Sequence, residues 1–139
     1  YLDRVETGWA FRIQLPIGSR VPFHCTASGK TFLASLPMAK LKSFLATLHL
    51  QAMTQNTHVS TATLLTEIAQ VRKNGYALDQ EEFMDDMVAI AVPVTDPKNR
   101  YIAALAFHGP TQRVTISDAI KSKELLQSAA RRISESLFD

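Results

Sequence analysis

Residues 87–95 leave little freedom over the fold: Met87, Val88, Ala89, Ile90, Ala91, Val92, Pro93 and Val94 run almost unbroken before Thr95. A run of nine residues rich in β-branched side chains is a strand, and one this apolar has both faces covered. Asp96, Pro97, Lys98 and Asn99 supply turn chemistry. Residues 101–108 are the hairpin partner, and Gly109-Pro110 closes it. Both faces of that first strand are therefore covered by other layers of the fold.

The rest of the chain supplies those layers. Leu64, Ile68 and Val71 repeat at helical spacing, flanked by Leu65 and Ala69. Ser60 caps this helix, Arg72 and Lys73 occupy its last turn, and Asn74-Gly75 ends it. Pro37 opens another helix with Leu41, Phe44, Leu45 and Leu48 inward and Lys40, Lys42 and Ser43 outward. A final helix carries the stripe Leu126, Ala130, Ile133 and Leu137, capped by Ser117 or Ser122. At the front, residues 1–5 and 9–15 alternate apolar with polar around Thr7-Gly8, which predicts a second hairpin. Its core face would carry Trp9, Phe11, Ile13 and Leu15. Residues 49–60 lack a period and read as an irregular connection. This order predicts an α+β fold with a mostly antiparallel sheet, in one domain of 139 residues. The chain opens without Met, directly in strand-like sequence, as a piece of a longer protein would.

Charge and cysteine content narrow the functional classes. A net charge of +2, with no basic cluster larger than Arg131-Arg132, gives no nucleic-acid footprint. Cys25 is the only cysteine, so no internal disulfide forms, which suits a reducing, cytoplasmic compartment. No apolar run reaches the length of a membrane span.

Residues 21–34 hold the first candidate site. Pro22 and Phe23 suit an extended segment at a sheet edge, and Thr26 or Ser28 can cap a helix that continues through Phe32 and Leu33. The turn at Ala27, Ser28 and Gly29 gathers bare backbone amides at a helix start, as an anion site requires. Taken alone, the stretch fits a capped helix start with no ligand at least as well. The second candidate lies on the late hairpin. Met87, Ala89 and Ala91 share one strand face, and Ile102, Ala104, Ala106 and His108 share one face of its partner. Small side chains there serve either a closely packed helix or the floor of a pocket with His108 at its rim; spacing does not choose.

Sharper motifs fail. Gly29-Lys30-Thr31 resembles the end of a phosphate-binding loop, but His24 stands where that loop needs Gly. Ser28, His108 and Asp79 are the residue types of a hydrolytic triad, yet Thr26 and Lys30 replace the glycines of a nucleophile elbow. His24, His49, His58 and His108 are scattered, with no metal-binding spacing, so no metal or cofactor is expected unless the fold assembles one from His24 and His108.

Several segments together resemble the effector-binding domain of IclR-type transcriptional regulators. They are residues 18–30 with Phe32-Leu33-Ala34; residues 71–77 followed by Asp79 and Glu81-Glu82; residues 91–94; and Ala103-Ala104 with Gly109-Pro110. The resemblance covers nearly the whole chain in order and spacing. It implies a GAF-like fold, a curved antiparallel sheet with helices on both faces, spanning 1–139 as a non-enzymatic sensing domain. It also implies a homodimer or tetramer, with DNA contacted only through an N-terminal winged helix outside this chain. The effector site it implies comprises Ala27, Ser28, Gly29, Asp79, Ala89, Ala106 and His108. Amides at 27–29 would hold a carboxylate, a contact worth about 0.3–2 kcal/mol, and Asp79 would accept from a hydroxyl. Members that bind small oxoacids have a thiol near position 89 and hydroxyls near 106 and 108. Ala89, Ala106 and His108 at those positions imply a bulkier, less polar carboxylate effector, aromatic acids included. A hydrolase using Ser28 and His108, and an interaction module with no ligand, are the alternatives.

Overall fold

The computed structural model describes residues 1–6, 8 and 15–139. Helices α1 (Ala27–Ser35), α2 (Met38–Thr47) and α3 (Thr61–Asn74) precede strands β1 (Ala77–Gln80), β2 (Met87–Thr95) and β3 (Tyr101–Pro110). Helices α4 (Ile116–Lys121) and α5 (Lys123–Phe138) follow. The strands form one antiparallel sheet in the order β1-β2-β3. Its two faces carry different chemistry because side chains alternate along each strand. Val88, Ile90, Val92 and Val94 face α4 and α5, where Val114, Ala119, Leu126 and Ala130 close the core. Ala77, Ala89 and Ala91 face the other way and pack with Ala27 of α1 and Val71 of α3. The α+β class, with helices on both faces, is as expected.

Local chemistry fixes the ends. Thr26 caps α1, its hydroxyl accepting from the Gly29 amide at 3.0 Å. Ser60 caps α3, and Gly75 ends it in the left-handed conformation at φ 78°. Leu64, Ile68 and Val71 are the buried stripe of α3, as its period predicts. The irregular segment 49–60 is held by hydroxyls: Thr57 Oγ1 donates to the Glu82 carbonyl at 2.6 Å, and Thr54 Oγ1 to that of Glu81 at 2.6 Å.

Three expectations need correction, and a fourth lies largely outside the described residues. Residues 23–26 are a bend, not a strand, because Thr26 Oγ1 turns back to the Pro22 carbonyl at 2.6 Å. The C-terminal helix is two, and neither expected serine caps the first: Thr115 and Asp118 close a capping box on α4. Ser122 sits at the start of α5 without a side-chain cap bond. Only the first half of the α5 stripe is covered. Ser134 Oγ donates to the carbonyl of Thr95, the last residue of β2, and Ile133 and Leu137, in the C-terminal half of the helix, are exposed. The front hairpin falls on Thr7 and residues 9–14, which lie outside the described residues, while residues 1–6 form neither helix nor strand.

Candidate functional site

Strand β1 is the element that assembles the site. Its register sets Asp79 beside Ala89 of β2, and Ala89 beside His108 of β3, so the three form one row across the sheet. The next row is Ala77, Ala91 and Ala106. Ala27, the first residue of α1, packs in the cluster that holds Ala89, Ala91 and Ala106. The fold therefore brings Ala27, Asp79, Ala89, Ala106 and His108 to one face, with Ser28 half-buried beside Ala27. Much of the alanine surface serves close helix packing, since Ala34 of α1 also lies on this cluster.

Gly29 takes a different role from the expected one. Its amide is committed to Thr26 Oγ1, and a Cβ there would stand 2.5 Å from both Cα and the carbonyl oxygen of Phe23. Glycine is needed so that the helix start can touch the preceding turn. That leaves the amides of Ala27 and Ser28, the first two helical residues, without an intrahelical partner.

The polar ends of the row are deeply set. Asp79 is 1% exposed; its Oδ1 receives the Glu82 amide at 2.8 Å, and its Oδ2 has no hydrogen-bond partner. Burial pushes the Asp79 carboxyl up to about 7, with the nearby Glu82 carboxylate adding to the shift against the backbone amides and Lys30. His108 Nε2 lies 3.2 Å from the Tyr1 hydroxyl, while its buried Nδ1 has no partner. Burial lowers the His108 pKa, so the ring is neutral near pH 7. Tyr1 is shifted upward by burial and then by Asp79. Cys25, fully buried, is pushed up to about 12 by burial, Asp79 and Glu82, which leaves an inert thiol.

Beneath α1 lies a charge cluster that sequence reading did not anticipate. Lys30 is 0% exposed, with Nζ 2.6 Å from Glu82 Oε1, 3.2 Å from Glu67 Oε1 and 2.7 Å from the Leu78 carbonyl. His58 Nε2 approaches the same two acids at 3.6 Å and 4.0 Å. Lys30 thus ties α1 to α3 and β1 and is unavailable to any phosphate. Its position one turn after Ala27, on the helix side that meets the sheet, was the available signal.

Two sequence alternatives are not assembled. The nitrogen that a triad needs is occupied by Tyr1 rather than Ser28, and Asp79 bonds the Glu82 amide. His24 Nε2 meets the Gln51 carbonyl at 2.8 Å while His108 Nε2 meets Tyr1, and no group of three or more metal-ligating side chains occurs among the described residues. A separate groove of 490 Å³ lies under α5, lined by Val92, Pro93, Gln127, Arg131 and Ser134 among others, and contains none of the predicted residues.

A family model described as bacterial transcriptional regulator IclR C-terminal matches residues 1–135. The chain belongs to the IclR family. It is 43% identical over 116 residues to the protein named "Probable transcriptional regulator SauR" of Cupriavidus necator, an alignment covering 84% of this chain and 46% of SauR. It superposes on Thermotoga maritima IclR with a TM-score of 0.89 and 30% identity, over 97% of this chain and 55% of that one. A double mutant of the Acinetobacter PobR inducer-binding domain, in complex with 3-hydroxybenzoic acid, aligns with a TM-score of 0.83 and 30% identity, over 89% of this chain and 73% of that one. The chain spans about half the length of the curated relatives it matches. This IclR-type C-terminal domain belongs with transcriptional regulators and not with enzymes. Among the described residues no helix is long and apolar enough to cross a membrane.

Proposed function

We propose that this domain senses a small organic carboxylate, aromatic in preference to a small oxoacid, and thereby modulates DNA binding by a winged helix elsewhere in a cytoplasmic homodimer or tetramer. The observation that carries the reading is the Asp79–Ala89–His108 row under the start of α1, with Asp79 Oδ2 and His108 Nδ1 both buried and unpartnered. Buried polar atoms are ordinarily paired, so two such atoms on one face imply a partner that comes from outside. The amides of Ala27 and Ser28 would take the carboxylate, and Ala89 and Ala106 would form an apolar floor without hydroxyl or thiol. The PobR complex with 3-hydroxybenzoic acid supports the chemical class, because that domain shares this fold.

Titration calorimetry of the chain with 3-hydroxybenzoate and related aromatic acids, against glyoxylate and pyruvate, tests the reading. Tighter binding of the aromatic acids is expected. Tighter binding of the small oxoacids rejects the aromatic preference, and silence across the panel rejects the sensing role. An effector with equal affinity for both regulatory states shifts nothing, so it must also change DNA affinity of the longer protein.

A further inference from the structure

Asp79 carries its charge, when it has one, without a cation of its own. Lys30 Nζ is bound to Glu82, Glu67 and the Leu78 carbonyl, and among the described residues no ion pair reaches Asp79. The groups facing it are Glu82 from the β1–β2 connection, Lys30 from α1, Cys25 from the preceding bend and Tyr1 from the N-terminal segment. His108 ends the same row on β3. Cys25 and Tyr1 keep their protons near pH 7 and His108 is neutral, while Lys30 sits between two acids. An anionic effector on the Ala27 and Ser28 amides would join a carboxylate in a site with no uncommitted positive charge. Two carboxylates that share a buried site do not both ionise.

We propose that this domain takes up a proton together with its anionic effector, and that the proton resides on Asp79 Oδ2, so that Asp79 meets the ligand as a hydrogen-bond donor. The inference rests on the effector reading above and sharpens the ligand class. A protonated Asp79 suits an acid with an acceptor oxygen close to its carboxylate, or the second carboxylate oxygen itself, rather than a ligand offering only a donor. The proton comes from solvent. Burial, which already raises the Asp79 pKa to about 7, makes the uptake accessible near neutral pH.

Calorimetry of 3-hydroxybenzoate binding at pH 6 and pH 8, each in two buffers of different ionisation heat, counts the protons. The expected result is affinity about tenfold weaker at pH 8 than at pH 6, with close to one proton taken up per acid at pH 8. In the ligand-free chain, carbon-13 NMR should show the Asp79 carboxyl titrating near neutrality. Equal affinities without proton uptake overturn this inference and leave the effector reading standing, as does a carboxyl that titrates in the ordinary aspartate range. No binding at either pH overturns both. An Asp79→Asn chain should bind with the same affinity at both pH values; a retained tenfold difference assigns the proton elsewhere and overturns the proposal. Where that variant fails to fold or bind, the wild-type proton count and carboxyl titration decide.

Discussion

Replacing Lys30 by Met keeps most of the side-chain volume and removes only the ammonium, which isolates the charge cluster beneath α1. In the wild type that ammonium is fully buried, 2.6 Å from Glu82 Oε1 and 2.7 Å from the Leu78 carbonyl. Without it Glu82, whose side chain is 6% exposed, is left with the Gln80 amide as its hydrogen-bond donor, at 2.9 Å on Oε2, and with His58 Nε2 3.6 Å from Oε1. Breaking a buried pair from one side costs about 3–5 kcal/mol. The Glu67 contact adds little, because that acid is partly in solvent at 26% exposure and pairs of that kind are worth about 0–1 kcal/mol. A loss of about 4 kcal/mol is therefore expected, against a total stability of about 5–15 kcal/mol for an ordinary domain. With a urea slope of about 2 kcal/mol/M, the midpoint should fall by about 2 M. Lys30→Met combined with Glu82→Gln removes both charges, and that pair should recover at least half of the loss. A single-variant loss below about 1 kcal/mol, or a double variant whose loss is the sum of the two singles, refutes the reasoning.

Three further outcomes follow from the packing and charges. Asp79 is held at about 7 when folded and near 3.8 when unfolded, so its stabilising share is complete below about pH 4 and is lost as pH rises through 7. Urea titrations should show Asp79→Asn gaining on the wild type by roughly 2.5 kcal/mol between pH 5 and pH 8, and a constant difference would contradict the shift. Gly29→Ala should destabilise by about 1–3 kcal/mol because its Cβ meets Phe23 backbone at 2.5 Å, although helix propensity alone predicts a gain of about 1 kcal/mol. Thermal unfolding reads the sign directly. Thr115→Ala should lose about 1 kcal/mol and Thr115→Ser almost none, since the hydroxyl closes the α4 capping box.

Elements whose signals are local were readable from the residues. The ends of β2 and α3 fall where apolar period and turn or cap chemistry coincide, at Thr95 before Asp96 and at Gly75 after Asn74. Strand β1 was not predicted, because an acid within four residues reads as part of the acidic segment 79–86 rather than as a strand interior. Asp79 is helped there by the Glu82 amide, a contact supplied by the β1–β2 connection rather than by the strand itself. Thr115 and Asp118 carry the capping-box spacing openly, beside Ser117 and Ser122, which are equally good cap residues by type alone. Lys30 resembles only a phosphate-loop lysine in sequence, because its acids lie 37 and 52 residues further along the chain and only the tertiary fold brings them to it. The alanines on β2 and β3 were ambiguous in sequence, and the structure divides them between packing against α1 and the row that ends in Asp79 and His108.

The location of the effector is the central claim, and NMR of labelled chain during titration with the tightest-binding acid of the panel tests it most directly. Shifts of the Ala27 and Ser28 amides and of the Ala89 and Ala106 methyls are predicted, because Ala27 and Ala106 pack in one cluster with Ala89, which stands between Asp79 and His108. Shifts confined to Gln127, Arg131 and Ser134, in the groove under α5, would place the ligand on the opposite face of the sheet and contradict the account.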